Sequence, residues 1–254
     1  MKTWVDSPNG IKSTATAFDI IESVQDRQGA TLGEIVEDVG VTKSTVHCHL
    51  GTLMERGYIR QQGDRYQIGL LFLHLGTDAR DTVVPNDHIE AGVRRVAEEL
   101  QEKAQFSVEE YGRGYALFRE RGTYGIRTGR RIGAPMSLHD NAAGKAILAE
   151  LPHERVQEII DHWGLPATTE NAITDPDVLF EELAEIRETS IAYNRGESRE
   201  DLRALGCSIK KGDEVIGAIS ASGPKHRMTG EKEEETKDII LGIVNEIELN
   251  FGEE

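Results

Sequence analysis

Apolar residues in the first 70 positions recur with helical spacing. Ala17, Ile20, Ile21 and Val24 stand at i, i+3, i+4 and i+7, which predicts an amphipathic helix from Ser13 that "DRQGA" breaks. In "TLGEIVEDVG", Thr31 and Glu34 have capping-box spacing, each side chain satisfying a backbone N–H near the other, and Gly40 supplies a left-handed stop. Only "VT" separates this from "KSTVHCHLGTLMERG", with Thr42 as N-cap, Val46, Leu50 and Leu53 as an apolar stripe, and Gly57 as stop. Two short helices joined by a tight Gly-containing turn make a helix-turn-helix. Tyr58–Arg60 and Tyr66–Ile68 then alternate around "QQGD", the pattern of a hairpin. Residues 1–69 therefore read as a winged helix-turn-helix.

Beyond Gly69 the pattern changes. "GLLFLHLGTDARDTVVPNDHIE" starts apolar and turns polar around Pro85, so residues 70–85 read as a linker helix and domain boundary. A helix over about 86–103 aligns Ile89, Val93, Val96, Ala97 and Leu100 on one face. "AQFSVEEY", "GYALFRE", "RALGCSIKK" and "EVIGAISAS" read as strands, the last two forming a hairpin that turns at "KKGDE". "NAAGKAILAELPHERVQEII", "DPDVLFEELAEIRET" and "GEKEEETKDIILGIVNEIEL" read as helices. The expected fold class is α+β, with residues 86–254 forming a mainly antiparallel sheet flanked by helices.

Composition narrows the function. The 254 residues carry 29 Lys and Arg against 45 Asp and Glu, a net charge of −16, which by itself disfavours nucleic acid as a partner. The excess is uneven: residues 1–80 are nearly neutral at −2, leaving −14 for the rest. With 19 Arg to 10 Lys, the acid-rich, Lys-poor chain has the composition a salt-loaded cytoplasm favours, and is read as halophilic. No apolar run approaches the roughly 18 residues of a membrane span, and "MKTWVDSPNG" lacks the apolar core of a signal peptide. Two cysteines, Cys48 and Cys207, give no disulfide framework, so a cytoplasmic location is expected.

The run "STVHCHL" suggests a metal or redox site. At about 100° per residue, however, His47 and His49 diverge by about 200° on a helix and cannot share an ion. No metal site is expected. The side opposite the apolar stripe carries Ser44, Thr45, Cys48 and Thr52, with the histidines on its flanks. Short polar side chains near a helix start suit base edges, and N-terminal donors suit phosphate. Thr42, Lys43, Ser44, Thr45, His47 and Cys48 are thus candidates for contact with double-stranded DNA, with Arg60 and Arg65 flanking the wing tip.

"AAGKA" has the look of a phosphate loop, but His139 stands where the motif requires Gly and Ala146 where it requires Ser or Thr. It reads instead as a helix start beside a small anion or a packed sheet. Glu197, Ser198 and Glu200 with His139 offer acid–base groups but no nucleophile at a telling spacing, and no Gly-x-Ser-x-Gly elbow occurs in "DEVIGAISASGP". No enzyme and no cofactor are expected. Ser220 and Ser222 alternate with Ile219 and Ala221, so both point to one face of a strand. They read as the floor of a polar pocket for a small molecule, and Cys207 in the preceding strand is a candidate for the same sheet.

Together, "TLGEIVEDVGVTKSTVHCHLGTLMERGYI", "MSLHDNAAGKAILA" and "AYNRGESREDLRALGCSIKKGDEVIGAISASGP" resemble the IclR-type (isocitrate lyase regulator) transcription factors. The resemblance runs from about Ser13 to the C-terminal helix. It implies a winged helix-turn-helix, a linker helix and a GAF/profilin-like effector domain in a homodimer or homotetramer. Such a regulator binds a palindromic operator and responds to a small metabolite, commonly an organic acid, sugar or aromatic. The family's pocket positions fall on Ala142, Gly144, Glu197, Cys207, Ser220 and Ser222. Two departures stand out: Cys48 sits where many members carry Arg, and Ala142 sits where Gly can occur.

Overall fold

A computed structural model describes residues 10–83, 87–127 and 131–251, which divide into an N-terminal unit ending at Val83 and a C-terminal unit from Val84. The N-terminal unit comprises α1 (Lys12–Asp26), β1 (Ala30–Thr31), α2 (Leu32–Val39), α3 (Lys43–Glu55), β2 (Ile59–Gln62), β3 (Arg65–Ile68) and α4 (Leu71–Val83). The capping box is present in full: Glu34 N–H donates to Thr31 Oγ1, and Thr31 N–H donates to Glu34 Oε2 at 2.7 Å. Gly40 closes α2 in the left-handed region at φ 70°, and Thr42 caps α3 by accepting from Thr45 N–H. Ile20, Val24, Ile35, Val46 and Leu50 are fully buried and pack with Ile59 and Tyr66, so all three helices and the hairpin share one core. One strand escaped the sequence reading. The two-residue β1 starts at the last residue of the "DRQGA" break and pairs antiparallel with β3, giving the order β1-β3-β2. The linker around Pro85 lies outside the described residues.

The C-terminal unit runs α5 (Asp87–Leu100), β4 (Lys103–Glu110), β5 (Arg113–Arg121), β6 (Pro135–Met136), α6 (Ala142–Glu150), α7 (His153–Trp163) and α8 (Pro176–Thr189). It closes with β7 (Ala192–Asn194), β8 (Leu202–Lys211), β9 (Glu214–Pro224) and α9 (Glu231–Phe251). Six strands form one antiparallel sheet in the order β6-β5-β4-β9-β8-β7. The stretch expected as one helix over 141–160 is two. Pro152 lacks the N–H that would continue α6, and the chain is extended at Leu151 and Pro152 before α7 begins. The short β6 and β7 were too brief to show alternation.

Each face of this sheet follows from period two. Ala104, Phe106 and Val108 of β4, Leu205, Cys207 and Ile209 of β8, and Ile219 and Ala221 of β9 are buried in one cluster with α5 and α9. The intervening residues face the other way, toward α6. There β4 presents Lys103, Gln105 and Ser107, β8 presents Ala204, Gly206 and Ser208, and β9 presents Ser220 and Ser222. One face is a hydrophobic core and the other is polar or small.

α6 closes that second face. Ala142 through Ala149 are all buried, as expected of a helix packed on both sides. Two glycines allow the close fit. A Cβ on Gly206 would lie 2.8 Å from the Ala142 carbonyl carbon, and one on Gly144 would lie 2.2 Å from the Leu138 carbonyl oxygen.

Candidate functional site

Two surfaces matter. The first is α3. Val46, Leu50 and Leu53 are buried, while Thr42, Lys43, Ser44, His47, Cys48 and Thr52 are exposed and Thr45 and His49 are half-buried. The Thr42 hydroxyl lies 3.0 Å from Ser44 Oγ and 2.8 Å from Thr45 Oγ1, so the hydroxyls at the helix start form one connected group. Among the described residues, no group of three or more His, Cys, Asp or Glu is placed to hold a metal ion. Arg60 is exposed on β2. Arg65 is exposed on β3, where it donates to the Gly29 carbonyl and lies 3.5 Å from Glu34 Oε2. It ties the wing to the start of α2.

Behind this surface, Arg27 forms a two-pronged pair with Asp38, both bonds at 2.7 Å, and Ser23 Oγ donates to the same carboxylate at 2.7 Å. These donors hold Asp38 down at about 2. The pair fastens the C-terminal end of α1 to the last turn of α2, next to the α2–α3 turn.

The second surface is a cavity of about 240 Å³ between the polar sheet face and the start of α6. Lys103, Gln105, Ser220 and Ser222 form its floor, Arg119 of β5 stands beside them, and Asp140, Asn141 and Ala142 form the wall at the helix start. Asn194, Ser198 and Arg199 close it from the loop after β7. Asn194 anchors that loop. Its amide donates to the Asp140 carbonyl at 3.0 Å and Ser198 Oγ at 2.8 Å, and its Oδ1 accepts from the N–H groups of Gly196 and Glu197.

Of the six pocket positions inferred from sequence, the structure brings three to this cavity: Ala142, Ser220 and Ser222. Cys207 lies on the opposite face, because the β8–β9 register sets it against Ile219 while Gly206 stands against Ser220. Its thiol is buried in the hydrophobic core, which pushes it up to about 12. Gly144 serves the packing of α6 on Leu138, and Asn141 Oδ1 accepts from its N–H at 2.9 Å, so that donor is already used.

Glu197 points away from the cavity. Its Oε1 accepts from Lys145 Nζ at 2.9 Å, and its Oε2 accepts from Arg195 N–H at 2.6 Å. Lys145 is fully buried and also pairs with Glu182 of α8 at 2.5 Å. The lysine of "AAGKA" is therefore a structural cation joining α6, α8 and the cavity loop. Thr168 and Thr169, in a stretch that carried no sequence signal, both donate to the Glu197 carbonyl. Lys103, Gln105 and Arg119 were missed as cavity residues. The alternation "KAQFSV" contained the signal for the first two, once that strand is known to neighbour β9.

A winged helix with an outward polar recognition face, joined to a unit that holds a small polar cavity, defines a ligand-responsive DNA-binding regulator. A family model described as "Bacterial transcriptional regulator IclR C-terminal" matches residues 87–249, and another described as "IclR helix-turn-helix domain" matches residues 13–63. The chain belongs to the IclR family of transcriptional regulators, which bind DNA through the helix-turn-helix and a small molecule through the C-terminal domain.

Among its relatives, the probable HTH-type transcriptional regulator ArcR of Halobacterium salinarum is 30% identical over 250 residues, covering 96% of this chain and 95% of the relative. The crystal structure of the Thermotoga maritima IclR has a TM-score of 0.75 at 25% identity, covering 96% of this chain and all of that one. An IclR homolog of Microbacterium hydrocarbonoxydans, solved with 4-hydroxybenzoate, has a TM-score of 0.78 at 21% identity, covering 96% of this chain and all of that one. No helix among the described residues is long and apolar enough to cross a membrane.

Proposed function

We propose that the chain regulates transcription by coupling a small effector in the 240 Å³ cavity to operator contact through α3. The observation that carries this reading is the polar sheet face beneath α6: Lys103, Gln105, Ser220 and Ser222 line a cavity that packing alone does not require. Thr42, Lys43, Ser44, Thr45, His47 and Cys48 contact DNA from α3, and Arg60 contacts a phosphate from the wing. Arg65 positions that wing through Gly29 and Glu34.

One α3 addresses one half-site, so a palindromic operator calls for a homodimer with recognition helices about 34 Å apart, and a tetramer pairs two such dimers. Effector binding favours one arrangement of the two DNA-binding units over another, which changes operator affinity. The protein works in the cytoplasm and catalyses no reaction. In support of the last point, His139 Nε2 lies 3.2 Å from the Pro166 carbonyl, and Lys145 is neutralised by two carboxylates. Effector-bound relatives of this fold include the 4-hydroxybenzoate complex, which supports a small organic molecule as effector.

The test is direct. Lys43→Ala with Arg60→Ala abolishes a gel shift on the operator without lowering the melting temperature. Ser220→Ala with Ser222→Ala removes the effector's thermal stabilisation. A retained gel shift in the first variant moves the DNA surface elsewhere, and a retained thermal shift in the second moves the effector site.

A further inference from the structure

We infer that the cavity takes an uncharged polyhydroxyl compound, a sugar or sugar alcohol, which donates a hydroxyl proton to Gln105 and exchanges hydrogen bonds with Ser220 and Ser222. This deepens the reading of the cavity as the effector site and rests on it. Ser220 and Ser222 are 5% and 6% exposed, line the cavity, and make no side-chain hydrogen bond among the described residues. Gln105 stands opposite Ser220 across β4 and β9. Its Oε1 is buried without a hydrogen-bond partner, while its Nε2 donates to Ser107 Oγ at 3.4 Å. Buried polar groups in folded proteins are nearly always paired, so these three together call for an occupant that pairs them.

The chemistry of that occupant follows from what each group can do. An amide oxygen only accepts, so the ligand brings a donor to Gln105, whereas a serine hydroxyl donates or accepts. Ser220 and Ser222 are two residues apart on β9, which sets them about 7 Å apart, and Gln105 lies about 5 Å from Ser220 across the strands. One ligand therefore presents donor and acceptor groups over that span, as a carbon chain or ring with several hydroxyls does and a keto acid or a hydrocarbon does not. Ser198 offers a further donor, since its Oγ accepts from Asn194 and keeps its own proton to give.

The charged lining does not ask for a charge on the ligand. Arg199 makes two bonds to Asp201, Asp140 accepts from Asn141 and Thr168, and Lys103 and Arg119 both have interactions of their own. The groups that lack a partner are the neutral ones. The apolar lining is Met136, Ala142, Leu202 and Ala204, which suits the C–H surface of a carbohydrate and includes no aromatic ring for a benzoate-like acid to stack on.

The experiment titrates the full-length protein by calorimetry and thermal shift with glycerol, ribose, glucose, glucitol, gluconate, propionate and benzoate. At least one of the four neutral compounds binds about tenfold or more tightly than the three acids, and glucose against glucitol separates ring from open chain. Gluconate has the six-carbon chain of glucitol with a carboxylate at one end, so that comparison isolates the charge. Gln105→Leu, which keeps the bulk and removes the acceptor, weakens the tightest neutral compound about tenfold. Gln105→Glu restores an oxygen acceptor and binds it within about threefold of wild type.

An acid as the tightest ligand, no response to any neutral compound, unchanged binding in Gln105→Leu, or a Gln105→Glu variant that binds no better than Gln105→Leu overturns the ligand class. If Ser220→Ala with Ser222→Ala abolishes the response to an acid that binds, the effector-site reading stands without it. A response to any of these compounds that survives the double substitution overturns both.

Discussion

Lys145→Met tests the buried cation of α6. The substitution keeps the length of the side chain and removes its charge. Lys145 is wholly buried, and the Glu197 side chain it faces is 9% exposed. Glu182, at 27%, has more freedom to turn toward water. Breaking a buried pair by removing one partner typically costs about 3–5 kcal/mol, because the remaining charge is left without compensation. The escape open to Glu182 argues for the lower end, about 3 kcal/mol. In a unit of this size each kcal/mol lowers the melting temperature by about 2–4 °C, so the expected loss is about 6–12 °C. Adding Glu197→Gln to Lys145→Met removes the stranded carboxylate charge and recovers more than half of that loss, as a double-mutant cycle by scanning calorimetry reads out. A loss below about 1 kcal/mol for Lys145→Met, or a second substitution that adds to the damage, refutes the argument.

Three further outcomes follow from the geometry. Gly206→Ala places a Cβ 2.8 Å from the Ala142 carbonyl carbon and 3.0 Å from Ala143 N, forcing backbone apart. Its expected cost is about 1–3 kcal/mol with weakened effector binding, measured by melting and titration, and neutrality in both contradicts the packing. Brief iodoacetamide treatment at pH 8 labels exposed Cys48 and spares buried Cys207, whose thiol is pushed up to about 12; operator DNA protects Cys48, and equal labelling of both residues refutes the burial. Asp38, held below its ordinary 3.8 at about 2, contributes stability that is complete above 3.8 and is lost as pH falls toward 2. The stability gap between wild type and Arg27→Met, followed by circular dichroism, therefore narrows through that window, and a constant gap shows that the pair contributes nothing.

The N-terminal unit was legible because its signals are local. Thr31 and Glu34 lie three residues apart, and so do Leu50 and Leu53, so capping and the apolar stripe need only helical geometry. The polar pair Ser220 and Ser222 was legible for the same reason, from period two within one strand. Cys207 was not, since its face depends on pairing with Ile219, twelve positions away. Glu197 could not be placed from its own segment, because the sequence does not show that Lys145, 52 residues earlier, ends beside it. Lys103 and Gln105 needed the knowledge that β4 lies next to β9, a neighbour more than a hundred positions distant in the chain. Pro152 could have been read from its own chemistry, and only the apolar pattern running through it concealed the break.

The central strands divide two tasks by parity of residue number. Over residues 204–209 of β8 and 218–222 of β9 the odd positions belong to the hydrophobic core and the even positions face α6, while in β4 the assignment is reversed. Slipping the register by one residue would exchange the two sets, so the same hydrogen-bond ladder that holds the core in place also holds the cavity in place. Substitutions at positions such as 105, 204, 220 and 222 therefore change the lining of the cavity proposed for the effector while the core-facing residues stay as they are. Drift in effector preference and retention of the fold become separable on a single sheet, which gives a regulator of this design a short mutational path from one metabolite to another.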